Sequence, residues 1–160
     1  MTAREVAENV LDATGKALLA GDFDAFASYF ALPHTLETPD QKTILKTSAA
    51  LRTVFDRVSA KYIENRVTEL IRICDVAEFV APDRIHATHT THMMSGNTRL
   101  EEPFPIFSIF QRVGDDWIST ASQYAVVSSS TLGGALGHCL TTLNTAPAPA
   151  AATEKEKRPS

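Results

Sequence analysis

Three of the five histidines in this 160-residue chain stand close together in the run His86-Ala87-Thr88-His89-Thr90-Thr91-His92. Imidazole titrates near neutrality and also ligates metals, so proton transfer or metal binding is first sought there. The run reads as a strand, in which successive side chains point to opposite faces. His86 and His92 then share a face with Thr88, Thr90 and Met94, whereas His89 joins Ile85, Ala87 and Met93. HxxH spacing on a strand separates His89 from His92 across the sheet, where the two cannot chelate one ion, so no metal site is expected. The apolar bias of Ile85, Ala87 and Met93 argues for turning His89 inward.

His34 opens the alternating stretch His34-Thr35-Leu36-Glu37-Thr38 and shares a face with Leu36 and Thr38. Beside apolar walls it is the best single candidate for a general acid or base; its other reading is a buried histidine hydrogen-bonded to backbone. Glu37 points the opposite way and reads as a surface or dimer-contact residue. Asp22 and Asp24 suit a helix N-terminus, and Glu101-Glu102 a solvated loop before Pro103, so neither acidic pair is a carboxylate dyad. Tyr29 and Tyr62 end helical segments and could bring hydroxyls to a rim, while Gln123 and Tyr124 take opposite faces of the last strand. Cys74 and Cys139 lack CxxC spacing and read as two reduced structural thiols.

These side chains need elements to hold them. Thr2 or a neighbour caps a helix to about Ala20, with Val6, Val10, Leu11, Ala17 and Leu18 on its apolar face. Gly15, in its middle, implies close approach of another backbone or a ligand, or is simply tolerated. Gly21 sits where a helix C-cap wants positive φ, and Asp22 can cap a short second helix with Phe23, Phe26, Ala27 and Phe30 on one stripe, stopped by Pro33. Thr43-Ile44-Leu45 is a short strand. Thr47 or Ser48 then caps a third helix to about Tyr62, with Leu51, Val54, Phe55 and Val58 at helical spacing. From Asn65 the period changes to strands, roughly 67–80, 84–94, 104–112 and 116–127, separated by turn-forming residues at 81–83, 95–97 and 113–116. Ser128-Ser129-Ser130 suits the cap of a last helical segment from Thr131 to Leu143. Helices first and an antiparallel meander afterwards make an α+β domain.

With 44% apolar and 21% charged residues, the chain is expected to form one domain over residues 1–143, followed by a disordered Pro/Ala and charged tail over 144–160. The net charge of -4 and the scattering of the fifteen basic residues exclude an electrostatic footprint for nucleic acid. No run approaches the roughly 18 apolar residues of a membrane span, so no membrane partner and a cytoplasmic location are expected. A small neutral or hydrophobic ligand fits this composition better.

The AGDFDAF turn at residues 20–26, the LETP strand end at 36–39 and the DDWI hairpin at 115–118 resemble the nuclear transport factor 2-like superfamily, which includes ketosteroid isomerases, scytalone dehydratases and SnoaL-like polyketide cyclases. The match runs without a gap from about Thr14 to Phe55 and with slippage to about Tyr124. It implies a cone-shaped, cystatin-like α+β fold, with helices on a strongly bent antiparallel sheet, and a homodimer through the outer sheet face. In the isomerases a strand carboxylate shuttles the proton, while a tyrosine and a protonated aspartate hold the enolate oxygen. Those positions fall here on Thr38, Thr14 and Phe107. A threonine is too weak a base and a phenylalanine donates no hydrogen bond, so ketosteroid isomerase chemistry is rejected.

What the resemblance leaves to such positions is pocket lining, by Thr14, Leu18, Phe30, Leu36, Thr38, Phe55 and Phe107. It also turns the His86 and His92 face into the cone, against the apolar bias of the other face, and that placement is the one expected. The implied function is SnoaL-like: binding of a small, largely apolar molecule, with lyase, cyclase or isomerase acid–base chemistry by His34 and with His92 or His86 across the cavity. No cofactor is implied. The alternative, from a different class, is a non-catalytic ligand-binding or protein-interaction and dimerisation module.

Overall fold

Thr2 and Glu5 start the first helix by capping each other: the Thr2 hydroxyl accepts from the Glu5 N–H at 3.1 Å and the Glu5 carboxylate accepts from the Thr2 N–H at 2.7 Å. In this computed structural model, which describes residues 1–125 with Leu136, Leu140, Leu143 and Asn144, the helix so begun is α1 (Ala3–Ala20). Its buried stripe runs from Val6 through Val10, Leu11 and Thr14 to Ala17 and Leu18, the spacing of one helical face. Gly21 ends it with φ of 69°, a left-handed conformation that an L side chain resists.

Asp22 then accepts from the Ala25 N–H at 3.1 Å and caps α2 (Phe23–Ala27). The apolar stripe predicts a helix that keeps Phe30 and stops at Pro33; instead α2 ends at Ala27 and Phe30 opens strand β1 (Phe30–Glu37). Phe30 pairs with Ser119, and the register shifts between Phe30 and Thr35. Pro33, which has no N–H to give, lies inside that interruption of the ladder.

The other elements are β2 (Lys42–Leu45), α3 (Ser48–Glu64), β3 (Glu69–Ala81), β4 (Arg84–Ser95), the two-residue β5 (Thr98–Arg99), β6 (Phe104–Val113) and β7 (Asp116–Tyr124). Thr47 caps α3 by accepting from the Ala50 N–H at 3.1 Å. The sheet order is β2-β1-β7-β6-β4-β3, with β5 paired to β4. The expected antiparallel sheet is corrected in one pair: β1 and β7 run parallel, so the sheet is mixed. After β1 and β2 the chain crosses α3, builds the β3–β6 meander from the far edge, and returns with β7 beside β1 in the same direction.

Side-chain parity on β4 decides what faces the helices. Ile85, Ala87, His89, Thr91 and Met93 are buried, while His86, Thr88, Thr90 and His92 are half-buried on the other face. The inward placement expected for His86 and His92 is therefore overturned. Ile85, Ala87 and Met93 have to be buried, and because strand side chains alternate, a one-residue change of register would expose all of them.

Two apolar clusters lie under the helices. One joins Ala3, Val6, Ala7 and Val10 of α1 to Cys74, Ile85, Ala87 and Phe110. The other gathers Leu18, Phe26, Leu36, Leu45, Phe55, Tyr62 and Met93 together with Leu136 and Leu140. Leu136 and Leu140 are helical and buried. The remainder of the expected helical segment from Thr131, the residues of the last strand past 125, Cys139 and the tail beyond Asn144 lie outside the described residues. Cys74 is a buried free thiol. Among the described residues no helix is long and apolar enough to cross a membrane.

Candidate active site in the cone

The inward faces of α1, α2, α3, β1, β2, β3, β4, β6 and β7 surround a cavity. Phe26, Phe30, Phe55, Ile106 and Phe110 give it apolar walls. Its polar groups fall on two sides, His34 with Ser119, Ser122 and Tyr124 on β1 and β7, and His89 with Arg72 on β4 and β3.

On the first side, the carbonyl of Ser119 lies 3.2 Å from His34 Nδ1. A carbonyl only accepts, so Nδ1 carries the proton, and the Ser122 hydroxyl, 3.2 Å from Nε2, donates to the remaining lone pair. Burial lowers the imidazole pKa to about 4, opposed in part by the bond to Ser119, so His34 is neutral at physiological pH. The Phe30 ring packs edge-on against it, with centroids 5.0 Å apart. Tyr124 extends this group, two residues beyond Ser122 on the same face of β7 and in the cavity wall. Burial pushes the phenols of Tyr62 and Tyr124 up, which keeps both as protonated donors.

On the second side, His89 is only 2% exposed and neither ring nitrogen has a hydrogen-bond partner among the described residues. Its pKa is pushed down to about 3, first by burial and then by the Arg72 charge. Arg72 donates from Nη1 to the Leu11 carbonyl at 3.2 Å and to Thr14 Oγ1 at 3.0 Å, while its buried Nε has no partner. His89 pairs with Cys74 in the sheet, and Arg72 stands two residues from Cys74 on the same inward face, so the neutral imidazole and the guanidinium are diagonal neighbours. Gly15 lies against this group: a Cβ there would stand 3.7 Å from Arg72 Nη1 and 3.9 Å from Leu70 Cβ. The nearest atoms to such a Cβ are thus side-chain atoms at ordinary contact distance, which fits a tolerated glycine and shows no close backbone.

Of the residues singled out in the sequence, Thr14, Leu18, Phe30, His34, Leu36 and Phe55 all line this cavity. Four do not. Thr38 lies past the end of β1 and closes a turn, its N–H donating to the Gln41 carbonyl at 2.8 Å. Phe107 pairs with Thr88 on the outer face, where its ring meets that of His86 at 5.4 Å, and His92 shares that face. Tyr62, expected near a rim, is buried at 2% exposure and lines the cavity. His89 and Arg72 went unselected, although parity carries both: His89 alternates with buried Ala87, and Arg72 sits between Leu70 and Cys74 on the inward face. Among the described residues no group of three His, Cys, Asp or Glu side chains is placed to hold a metal ion.

No protein-family model matches the sequence, and no curated protein matches it. Solved structures do match in fold. A nuclear transport factor 2-like protein of unknown function from Shewanella oneidensis superposes with a TM-score of 0.56 at 12% identity, covering 76% of this chain and 98% of its own. A candidate dehydratase of the nuclear transport factor 2-like family from Streptomyces avermitilis gives 0.57 at 15% identity, over 78% of this chain and 95% of its own. This chain has the nuclear transport factor 2-like fold. A candidate calcium/calmodulin-dependent protein kinase type II association domain from Thiobacillus denitrificans gives 0.61 at 16% identity, over 75% and 94%. One nuclear transport factor 2-like architecture thus carries descriptions as unlike as a dehydratase and an association domain. The chemistry of this nuclear transport factor 2-like cone has to be read from its own side chains.

Proposed function

We propose that the cone binds a small, largely apolar molecule and performs cofactor-independent acid–base chemistry on it, of the lyase, cyclase or isomerase type, with His89 as the proton carrier. The observation that carries this reading is the burial of His89 in the cavity wall with both ring nitrogens unpartnered among the described residues. A buried polar group left without a partner costs about 1–3 kcal/mol, which a bound molecule recovers by hydrogen-bonding to it. Neutral imidazole has one accepting and one donating nitrogen, so it can take a proton at one atom and give one at the other. Negative charge growing on the substrate as a C–H bond breaks favours the imidazolium beside it. Across the cavity, His34 acts through Ser122, the hydroxyl that occupies its Nε2. The lyase version agrees with the neighbour described as a candidate dehydratase.

A test needs no native substrate. The carbon acid 2-indanone, dissolved in D₂O, exchanges its α-protons slowly in buffer, and proton NMR follows the exchange. The wild type should accelerate it by about 10²-fold or more, and His89→Gln should return the rate close to buffer. Exchange no faster than buffer with the folded wild type would remove the acid–base step.

Non-catalytic binding is the second reading, and His34 favours it: both of its nitrogens are satisfied by the fold itself. The proposal includes a homodimer through the outer sheet face. Supporting it, Ile73 is 50% and Val76 56% exposed on the face of β3 turned away from the helices.

A further inference from the structure

We propose that the molecule held in the cone is a small carboxylic acid with an apolar, ring-bearing body, its carboxylate seated on the Nε–Nη2 edge of Arg72 beside His89. This rests on the reading of the cone as a small-molecule site and names the class of molecule. A guanidinium has five N–H groups in a rigid plane. In Arg72 the two on Nη1 are engaged, one by the Leu11 carbonyl and one by Thr14 Oγ1. These bonds orient the plane against α1, where Gly15 keeps the near side clear of a side chain. The edge left over is formed by Nε and Nη2. Nε is buried without a partner, and among the described residues Nη2 has no hydrogen-bond partner.

That edge is a two-pronged donor whose spacing matches the two oxygens of a carboxylate, a geometry a single hydroxyl or carbonyl cannot fill. Among the described residues no carboxylate forms an ion pair with Arg72. A cationic group in an apolar wall without an anionic partner is expensive to keep there, and a ligand anion offsets that expense. His89 adds a second unpartnered donor on the same inward face. The rest of the wall selects the body of the ligand: Phe26, Phe30, Phe55 and Phe110 surround the cavity with aromatic surface.

Phenylacetate supplies such a head and body, and phenylacetamide is its uncharged counterpart of nearly the same shape. Titration by isothermal calorimetry or ligand-observed NMR should show phenylacetate binding the wild type about tenfold or more tightly than phenylacetamide. Arg72→Met, similar in length but without charge or fork, should bring the two affinities together. Equal affinity of acid and amide for the wild type would overturn the carboxylate seat while leaving a small-molecule cavity in place. Absence of binding by both up to about 10 mM would remove the seat and the cavity reading together. A preference for the acid that survives in folded Arg72→Met would place the anion elsewhere. If Arg72→Met fails to fold, the wild-type comparison decides by itself.

Discussion

Arg72 donates to Thr14 Oγ1 across 3.0 Å, and the Thr14 hydroxyl in turn donates to the Val10 carbonyl at 2.9 Å. Strand β3 is thereby tied to the middle of helix α1 at the wall of the cavity. Thr14→Val keeps the shape and removes the acceptor. It should lower stability by about 1 kcal/mol, read as a shift in the urea midpoint at unchanged slope. A Thr14→Val midpoint equal to that of the wild type would mean that this bond contributes nothing to holding the helix.

Ser122→Ala leaves His34 Nε2 buried without its donor. The loss should be about 1–3 kcal/mol, larger than for Thr14→Val, because the orphaned nitrogen is deep in the fold while Arg72 keeps its bond to Leu11. Equilibrium denaturation of the two variants side by side checks that order.

Stability should fall as the solution is acidified from neutrality. Burial holds His34 down to about 4 and His89 to about 3, against an ordinary value of 6.5. Between those limits the unfolded chain binds protons that the folded chain refuses, so unfolding gains about 1.4 kcal/mol per pH unit for each such histidine. The loss begins below the unfolded value and levels off below each folded one; above neutrality these groups contribute no slope. Melting temperatures across this acid range should drop for the wild type and drop less steeply for His34→Gln or His89→Gln. Identical slopes in all three proteins would show that neither histidine is held neutral by the fold.

Gly15→Ala should raise stability. Glycine in a helix interior is worse than alanine by about 1 kcal/mol, and the added carbon would meet its nearest neighbour at an ordinary 3.7 Å. A gain of about 2–4 °C in melting temperature is expected from differential scanning calorimetry. A decrease would mean that the Arg72 guanidinium needs the space that the glycine leaves.

Ile73→Lys combined with Val76→Lys places two charges on the exposed outer face of β3. Light scattering at micromolar concentration should give a dimer for the wild type and a monomer for the double variant. A wild-type monomer at that concentration would dismiss the proposed partner surface.

How much of this was legible in the residues follows from the range over which each signal acts. Helix ends are local. Thr2 with Glu5, Gly21, Asp22 and Thr47 each satisfy backbone groups within three or four residues, and each cap stands where its residue type predicts. The end of α2 was not local: Phe30 leaves the helical stripe because β7, far along the chain, offers it a partner in Ser119.

The candidate site divides in the same way. The alternation of Ile85, Ala87 and Met93 was enough by itself to turn His89 inward and His86 and His92 outward, because burying one face of a strand fixes the direction of every side chain on it. The outward turn of Phe107 follows from its pairing with Thr88. Residue type and parity thus determined the α+β order of elements, the helix caps and the inward position of His34, and the resemblance carried by the AGDFDAF, LETP and DDWI segments implied the cone. Only the tertiary structure decided what each inward group meets there. It brought Ser119 and Ser122 from β7 to both nitrogens of His34, and Leu11 and Thr14 from α1 to one nitrogen of Arg72, while leaving His89 and the other edge of Arg72 to the cavity. Those outcomes depend on contacts between strands and helices far apart in the chain, which no local pattern of residues encodes.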